Sequence, residues 1–352
     1  MLAIIPEALY GGLLSHSPWL LWAWAVGALA VLGAAADRAV WAAVRLAAEL
    51  GMSRIVIGAT IVSLGTTAPE VSVSVVAAIR GQGGLALGNA VGSVICNTAL
   101  IFGLGCVLTQ LPIDRAVLRR QSFMHLAAVV SLIGIVVILA AASGTVHGLA
   151  IPRGVGVAFL GALAAYMYLT IRWARGGLEA LLPADAHESQ TSRRAKTHGA
   201  WMSFIVLAVG LAAVVLASDA LVGSVVALSR HYGVPEDVLA VTLVAFGTSV
   251  PELATAIVSV IRRQGELMIG NILGANTLCI LWVTGASAAV APVEVPASFF
   301  YLHLPLMGLV AGLFTVFVLR SGTHFRRRQG AGLLAIYAAY IAALAVYTLK
   351  AQ

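Results

Sequence analysis

Two glutamates stand where apolar sequence makes them costly. Glu70 lies in "IVSLGTTAPEVSVSVVAA", Ile61 to Ala78, and Glu252 in "LVAFGTSVPELATAIVSV", Leu243 to Val260; each directly follows a proline, Pro69 or Pro251. Proline inside a helix lacks an N–H and frees the carbonyl one turn earlier. That turn reads Gly-Thr-Thr or Gly-Thr-Ser, so the carbonyls around Ser63 to Thr66 and Ala245 to Thr248 are expected to turn inward as ligands. The hydroxyls of Thr66, Thr67, Thr248 and Ser249 add oxygens, and Glu70 and Glu252 add charge. Carbonyl, hydroxyl and carboxylate oxygens together suit hard cations such as calcium and sodium. An anionic substrate would call for basic side chains, and neither motif contains one. Two carboxylates facing each other repel, and a bound cation or a proton relieves the repulsion. Such a site gives up its occupant by exchange more readily than it stands bare, which is the physical basis of counter-transport. The rival reading, a structural acid paired with a buried base, lacks a Lys or Arg in the motif helices near either acid.

The elements that hold these residues must be membrane spans. With 61% hydrophobic and 10% charged residues in a chain of 352 and a mean hydropathy of +0.99, no water-soluble core could absorb the apolar surface. A span needs about 20 mostly apolar residues. Such runs occur at Trp19–Ala36, Ile55–Ile79, Gly81–Ile113, Gln121–Ala150, Gly154–Ile171, Trp201–Ser229, Val238–Ile261, Leu267–Val293, Val295–Leu319 and Gln329–Leu349, predicting ten spans. The runs are continuous rather than alternating, which excludes a β-barrel. With the N-terminus outside, 17 of the 21 basic residues fall in inside loops and helix ends, leaving Arg80, Arg153, Arg230 and Lys350 outside. That asymmetry fixes the predicted orientation, with both termini outside. It also accounts for the net charge of +7 without nucleic acid as a partner. The first apolar run reads as a retained span rather than a cleaved signal. Cys96, Cys106 and Cys279 fall inside predicted spans without metal-finger spacing and read as reduced thiols.

The chain also contains itself twice. The offset 252 − 70 = 182 brings Glu70 onto Glu252, Pro69 onto Pro251, Arg80 onto Arg262 and Gly88-Asn89 onto Gly270-Asn271. From Val56 to Gly105, 17 of 50 positions are identical, where apolar bias alone gives about five. The repeats, 56–105 and 238–287, sit in halves of five predicted spans, 1–173 and 201–352. Five is odd, so the second copy is expected to cross in the opposite sense. The fold class expected is therefore an all-α membrane protein with ten transmembrane helices in two inverted five-helix repeats. That is the architecture of secondary transporters, with the site at the midplane between halves. The polar stretch 174–200 is expected to be a flexible cytoplasmic linker without a fold of its own.

In the second element of each repeat, Gly88, Gly92, Ser93 and Asn97 share a helix face, as do Gly270, Gly274 and Ala275. Small residues there let helices approach closely, and Ser93 and Asn97 are candidate ligands. For Asn89 and Asn271 a capping role and ion contact are equal alternatives. Asp37 and Asp219 obey the same offset and are candidate pathway residues. The histidines His16, His147, His198, His231, His303 and His324 fall near span ends. The basic run His324 to Gln329 reads as an anchor on anionic lipid, and Trp19, Trp22, Trp24 and Trp201 as interface belts.

The paired "GTTAPE" and "GTSVPE" motifs, each followed by Gly-Asn-x-x-Gly, resemble those of the cation/calcium antiporter superfamily, which includes sodium/calcium exchangers. The resemblance covers nearly the whole chain. It implies an antiporter in which sodium and calcium compete for one central site, with ligands at Thr66, Thr67, Glu70, Ser93 and Asn97 and at Thr248, Ser249 and Glu252. Where many members have an acid or amide matching Asn97, this chain has Cys279, and where they often have serine matching Ser93 it has Ala275. A thiol is a soft group, so this departure leaves open a proton-coupled or softer-metal variant. The reading is thus exchange of Ca²⁺ for Na⁺, with Ca²⁺/H⁺ exchange as the alternative, in a prokaryotic inner (plasma) membrane. The expected partners are the lipid bilayer and inorganic cations. No cofactor, enzymatic activity or ATP site is expected, since there is no Walker motif, and the sequence assigns no oligomeric state.

Overall fold

The computed structural model describes residues 18–179, 190–232 and 247–351. The helices are α1 (Pro18–Leu50), α2 (Arg54–Thr66), α3 (Ala68–Ile79), α4 (Gly83–Leu108), α5 (Arg115–Ser143), α6 (Arg153–Glu179), α7 (Gln190–His231), α8 (Val250–Ile261), α9 (Gly265–Val290), α10 (Phe299–Arg320) and α11 (Arg327–Ala351). Among the described residues seven helices are long and apolar enough to cross a membrane, eight when α2 and α3 count as one bent span. The run expected as a span at 238–261 is described from Gly247 onward, as the end of a turn and α8. Ala245 lies outside the described residues.

The bend between α2 and α3 is 46° and has a covalent cause. Pro69 falls in the first turn of α3, where its missing N–H leaves the Gly65 carbonyl without its helical partner. Pro251 occupies the same place in α8. Helix ends follow local chemistry more than hydropathy. Asp114 caps α5 by accepting from the N–H groups of Ala116 and Val117, and Gly144, at φ +68°, ends it in the left-handed region. The helix therefore runs 115–143 rather than the expected 121–150.

Two expectations need correction. The stretch 174–200 is not wholly without regular structure: α6 continues to Glu179 and α7 already begins at Gln190. Nor is the molecule purely helical, because Leu149–Ile151 and Val293–Val295 form a two-stranded antiparallel ribbon, β1 and β2, pairing Ala150 with Glu294. A matching isolated bridge joins Pro112 to His324.

Helices α4 and α9 lie at the centre. Their most apolar windows are 78% and 94% buried, against 22–44% for the other apolar helices. α9 crosses α2 at van der Waals closeness through glycines: a Cβ on Gly274 would stand 2.5 Å from Ser63 Oγ, and one on Gly270 would collide with the Ile55 carbonyl. Antiparallel α1 and α7 lie beside this centre, with Trp22 Nε1 donating to Tyr232 Oη at 3.4 Å. Trp19, Trp22, Trp24 and Trp201 are exposed.

Elements recur at the sequence offset. Adding 182 to the bounds of the turn-helix pair Gly103–Leu108 gives Gly285–Val290, and Ile79 and Ile261 end α3 and α8 in register. Each central helix also carries a π-helical turn at the same place, Cys96–Phe102 in α4 and Cys279–Thr284 in α9. Such turns widen a helix by one residue and recur at functional sites.

Candidate functional site

The proline bends bring the two motifs together in the buried centre. Ser63, Thr66, Thr67, Glu70, Ser93 and Asn97 are buried, as are Thr248, Ser249, Glu252 and Cys279. Hydroxyls of each motif reach across to the other repeat. Thr67 Oγ1 donates to Glu252 Oε1 at 3.4 Å, and Ser249 Oγ meets Ser93 Oγ at 3.4 Å. Thr248 lies beside Glu70 and Thr66 beside Glu252, with the two carboxylates within electrostatic reach of each other.

Two asparagines knit this arrangement, and neither acts as a cap. Asn89 Oδ1 accepts from Thr248 Oγ1 at 2.9 Å while its Nδ2 donates to Ser74 Oγ at 2.9 Å and to the Glu70 carbonyl at 3.3 Å. Asn271 mirrors it, accepting from Thr66 Oγ1 at 3.4 Å and donating to Thr255 Oγ1 at 3.1 Å. The N-terminal caps of α4 and α9 are instead at Gln82 and Gln264. Ser63 donates its hydroxyl to the Thr60 carbonyl, and its own carbonyl accepts from the Thr67 N–H at 2.9 Å. The carbonyl released by Pro69 is accordingly that of Gly65.

Three oxygens in this centre are buried without any hydrogen-bond partner: Oε2 of Glu70, Oε2 of Glu252 and Oδ1 of Asn97. Leaving such a group unpaired costs about 1–3 kcal/mol, and more for a charge. Among the described residues no basic side chain pairs with either acid. The ion pairs among the described residues are Arg45–Glu49, Arg54–Glu266 and Arg262–Asp37. Cys279 sits in the field of both glutamates with Ser93 beside it. Yet among the described residues no three His, Cys, Asp or Glu side chains converge as a metal-holding group. Any cation here meets two carboxylates and neutral oxygens.

Of the two candidate pathway acids, Asp37 accepts from Arg262 of α8, and Asp219 is among the residues lining a cavity of about 270 Å³ with Pro69, Ser72, Thr248 and Pro251. Several polar residues escape a reading by motif. Asn276, on α9 one turn before Cys279, donates to Thr98 Oγ1 at 2.8 Å and has its own Oδ1 unpaired. His125 is wholly buried with both ring nitrogens unpaired. Tyr166 donates to the Ala59 carbonyl in the π-helical turn of α2, at 3.2 Å. Their only sequence signal is a polar residue inside an apolar run.

Apolar helices of spanning length around a buried, oxygen-lined centre define an integral membrane protein. Residues 20–172 and 202–346 match the family model described as sodium/calcium exchanger protein, and the chain belongs to that family of transporters. Among its relatives are the putative antiporter CaxA of Alkalimonas amylolytica, 32% identical over 75% of this chain and 78% of that protein. The inner membrane protein YrbG of Escherichia coli is 30% identical over 91% of this chain and 94% of that one. The sodium/calcium exchanger MaX1 of Methanosarcina acetivorans is 26% identical over 88% and 93%. The solved structure of the sodium-calcium exchanger NCX_Mj, soaked with 10 mM Na⁺ and zero Ca²⁺, superposes with a TM-score of 0.77 at 25% identity, covering 92% of this chain and 99% of that one.

Proposed function

We propose that the chain is a secondary antiporter exchanging Ca²⁺ for Na⁺ by alternating access at a centre built on Glu70 and Glu252. The observation that carries this reading is the trio of unpaired buried oxygens on Glu70, Glu252 and Asn97. A hard cation offsets their desolvation where no protein group does. Thr66, Thr67, Ser93, Thr248 and Ser249 supply further oxygens, with carbonyls of the two proline turns, including those near Ser63 and Ala245. The recurrence of α3 and α4 at an offset of 182 residues, with a π-helical turn in α4 and in its counterpart ending at Phe102 and Thr284, supports ten spans in two inverted halves, 1–173 and 201–352. The basic-residue asymmetry supports a cytoplasmic linker at 174–200 with both termini outside. The name of the Escherichia coli relative, an inner membrane protein, supports the same location here.

Sodium coupling is favoured by relatives that carry sodium/calcium exchange in their names. Proton coupling is the second reading, because Ala275 and Cys279 leave α9 without the two oxygens that α4 offers at Ser93 and Asn97. The deciding experiment is calcium uptake into liposomes holding the purified chain, driven by an outward sodium gradient or an outward proton gradient, each alone. Uptake on sodium alone is expected. Uptake on protons alone makes the same two glutamates proton carriers, and uptake on neither overturns calcium exchange.

A further inference from the structure

The charge of the buried centre can be counted. From Val56 to Ile79 the one charged residue is Glu70, and from Val238 to Ile261 it is Glu252. The central helices add little: α4 has no charged residue between Gly83 and Leu108, and α9 has only Glu266. Glu266 sits in the first turn of α9, has a side chain 37% exposed and pairs with Arg54 at 4.0 Å, whereas Glu70 and Glu252 are each 1% exposed. Asp37 and Asp219 are half-buried and stand outside this set. Cys279, repeat-related to Asn97, brings a thiol, a group ordinarily neutral at pH 7. With both glutamates ionised the centre therefore holds two negative charges.

Two charges so deeply buried restrict what can sit between them, because an uncompensated ion in a protein interior is strongly destabilised. One divalent cation cancels both carboxylates. One monovalent cation leaves a negative charge over, three leave a positive charge without a partner, and two cancel the carboxylates as one calcium does. The oxygens are arranged in the same proportion. Each carboxylate has a hydroxyl of the opposite repeat beside it, Thr67 for Glu252 and Thr248 for Glu70, which makes one place for a monovalent cation at each. A third place would draw on α9, but at the two positions matching Ser93 and Asn97 that helix carries Ala275 and Cys279, which bring no oxygen.

We propose that the centre accepts a fixed charge of two, as one calcium ion or as two monovalent cations, sodium or protons, so that a full exchange cycle moves no net charge across the membrane. This rests on the two-glutamate exchange site proposed above, but not on which monovalent ion is coupled. Sodium and protons replace each other one for one, since the quantity held constant is charge.

The test is a count of the monovalent ions that calcium displaces from the purified full chain. Binding of radioactive calcium is measured over a series of sodium concentrations at fixed pH, and over a series of pH values at fixed sodium, with sodium high enough to keep the centre filled. By linkage, the slope of the logarithm of the dissociation constant against that of a competitor's concentration is the number of competitor ions displaced, and the sodium and proton slopes are expected to add to about two. Calcium binding with a sum near one or three keeps the site and overturns the count, whereas a chain that binds no calcium loses both. In liposomes, the final calcium accumulation under a sodium or proton gradient is expected to be the same with and without a potassium gradient made electrically active by valinomycin. One net charge per cycle would shift it about tenfold for each tenfold step in potassium, and such a shift overturns the proposal. Slopes adding to two without any transport would sink the exchange reading and leave the count standing.

Discussion

At the scale of single residues, the centre is a set of oxygens with unequal satisfaction. Thr248 and Thr66 are bound to Asn89 and Asn271, while one oxygen of each glutamate has no partner. Charge is therefore the quantity the glutamates contribute, and a shape-preserving change tests it. Glu70→Gln and Glu252→Gln are each expected to lower calcium flux to below about a hundredth of the parent rate, since either halves the site's charge and a lost partner to a buried ion costs 3 kcal/mol or more. Parent rates in both variants would remove the site. Cys279 offers the opposite test. Placing a carboxylate at the position repeat-related to Asn97 is expected to tighten calcium, with Cys279→Asp lowering the half-saturating concentration by about tenfold, or 1.4 kcal/mol; an unchanged value in flux assays counts against the assignment. The glutamates, hydroxyls and Asn97 were legible in sequence because acids and prolines are rare in apolar runs. The clamps at Asn89 and Asn271 were not, because an asparagine near a helix start reads equally well as a cap, and the hydroxyl each accepts from, Thr248 or Thr66, lies in the other repeat.

Among elements, the contact that fixes the site is the crossing of α2 and α9. Gly270 and Gly274 allow the two backbones to touch, and the atom a Gly270 side chain would meet is a backbone carbonyl that cannot swing aside. Gly270→Ala is therefore expected to destabilise the chain by about 1–3 kcal/mol, the usual cost of overpacking, read as an earlier loss of monodisperse protein on heating. Gly312→Ala, with open space around its Cβ position, should leave that curve unmoved. Equal behaviour of the two would mean that the crossing is not close. The small-residue pattern made this contact expected, as the prolines did the bend after Thr66. Boundaries were less legible. The start of α5 is set by the carboxylate of Asp114 and its end by a left-handed Gly144, neither of which hydropathy registers. The helical beginning of α7 at Gln190 also runs against composition, since its first turns are polar. The turn after α8 differs from its counterpart as well: Gly81 takes φ +76°, and in the second copy Arg263 takes φ +55° without glycine's freedom.

For the whole molecule, the proposed site makes ion binding and folding one equilibrium. Glu70 and Asn97 come from one repeat and Glu252 from the other, with Thr67 reaching across to Glu252, so a cation at the centre is gripped by both halves and by neither alone. Anything that binds the folded chain and not the unfolded one stabilises it, by about 2.7 kcal/mol at a hundred times its dissociation constant. Calcium is therefore expected to raise the midpoint of thermal unfolding in proportion to the logarithm of its concentration. Glu70→Gln and Glu252→Gln should fold but lose that increment, and either loss should be nearly complete because the remaining carboxylate faces the ion alone. Sodium tests whether the centre is shared. If both ions occupy it, adding sodium at fixed calcium reduces the calcium-dependent rise, because each bound sodium displaces calcium rather than joining it. Simple addition of the two effects would place the ions in separate sites, and the two halves would then have to be coupled by something other than competition at Glu70 and Glu252.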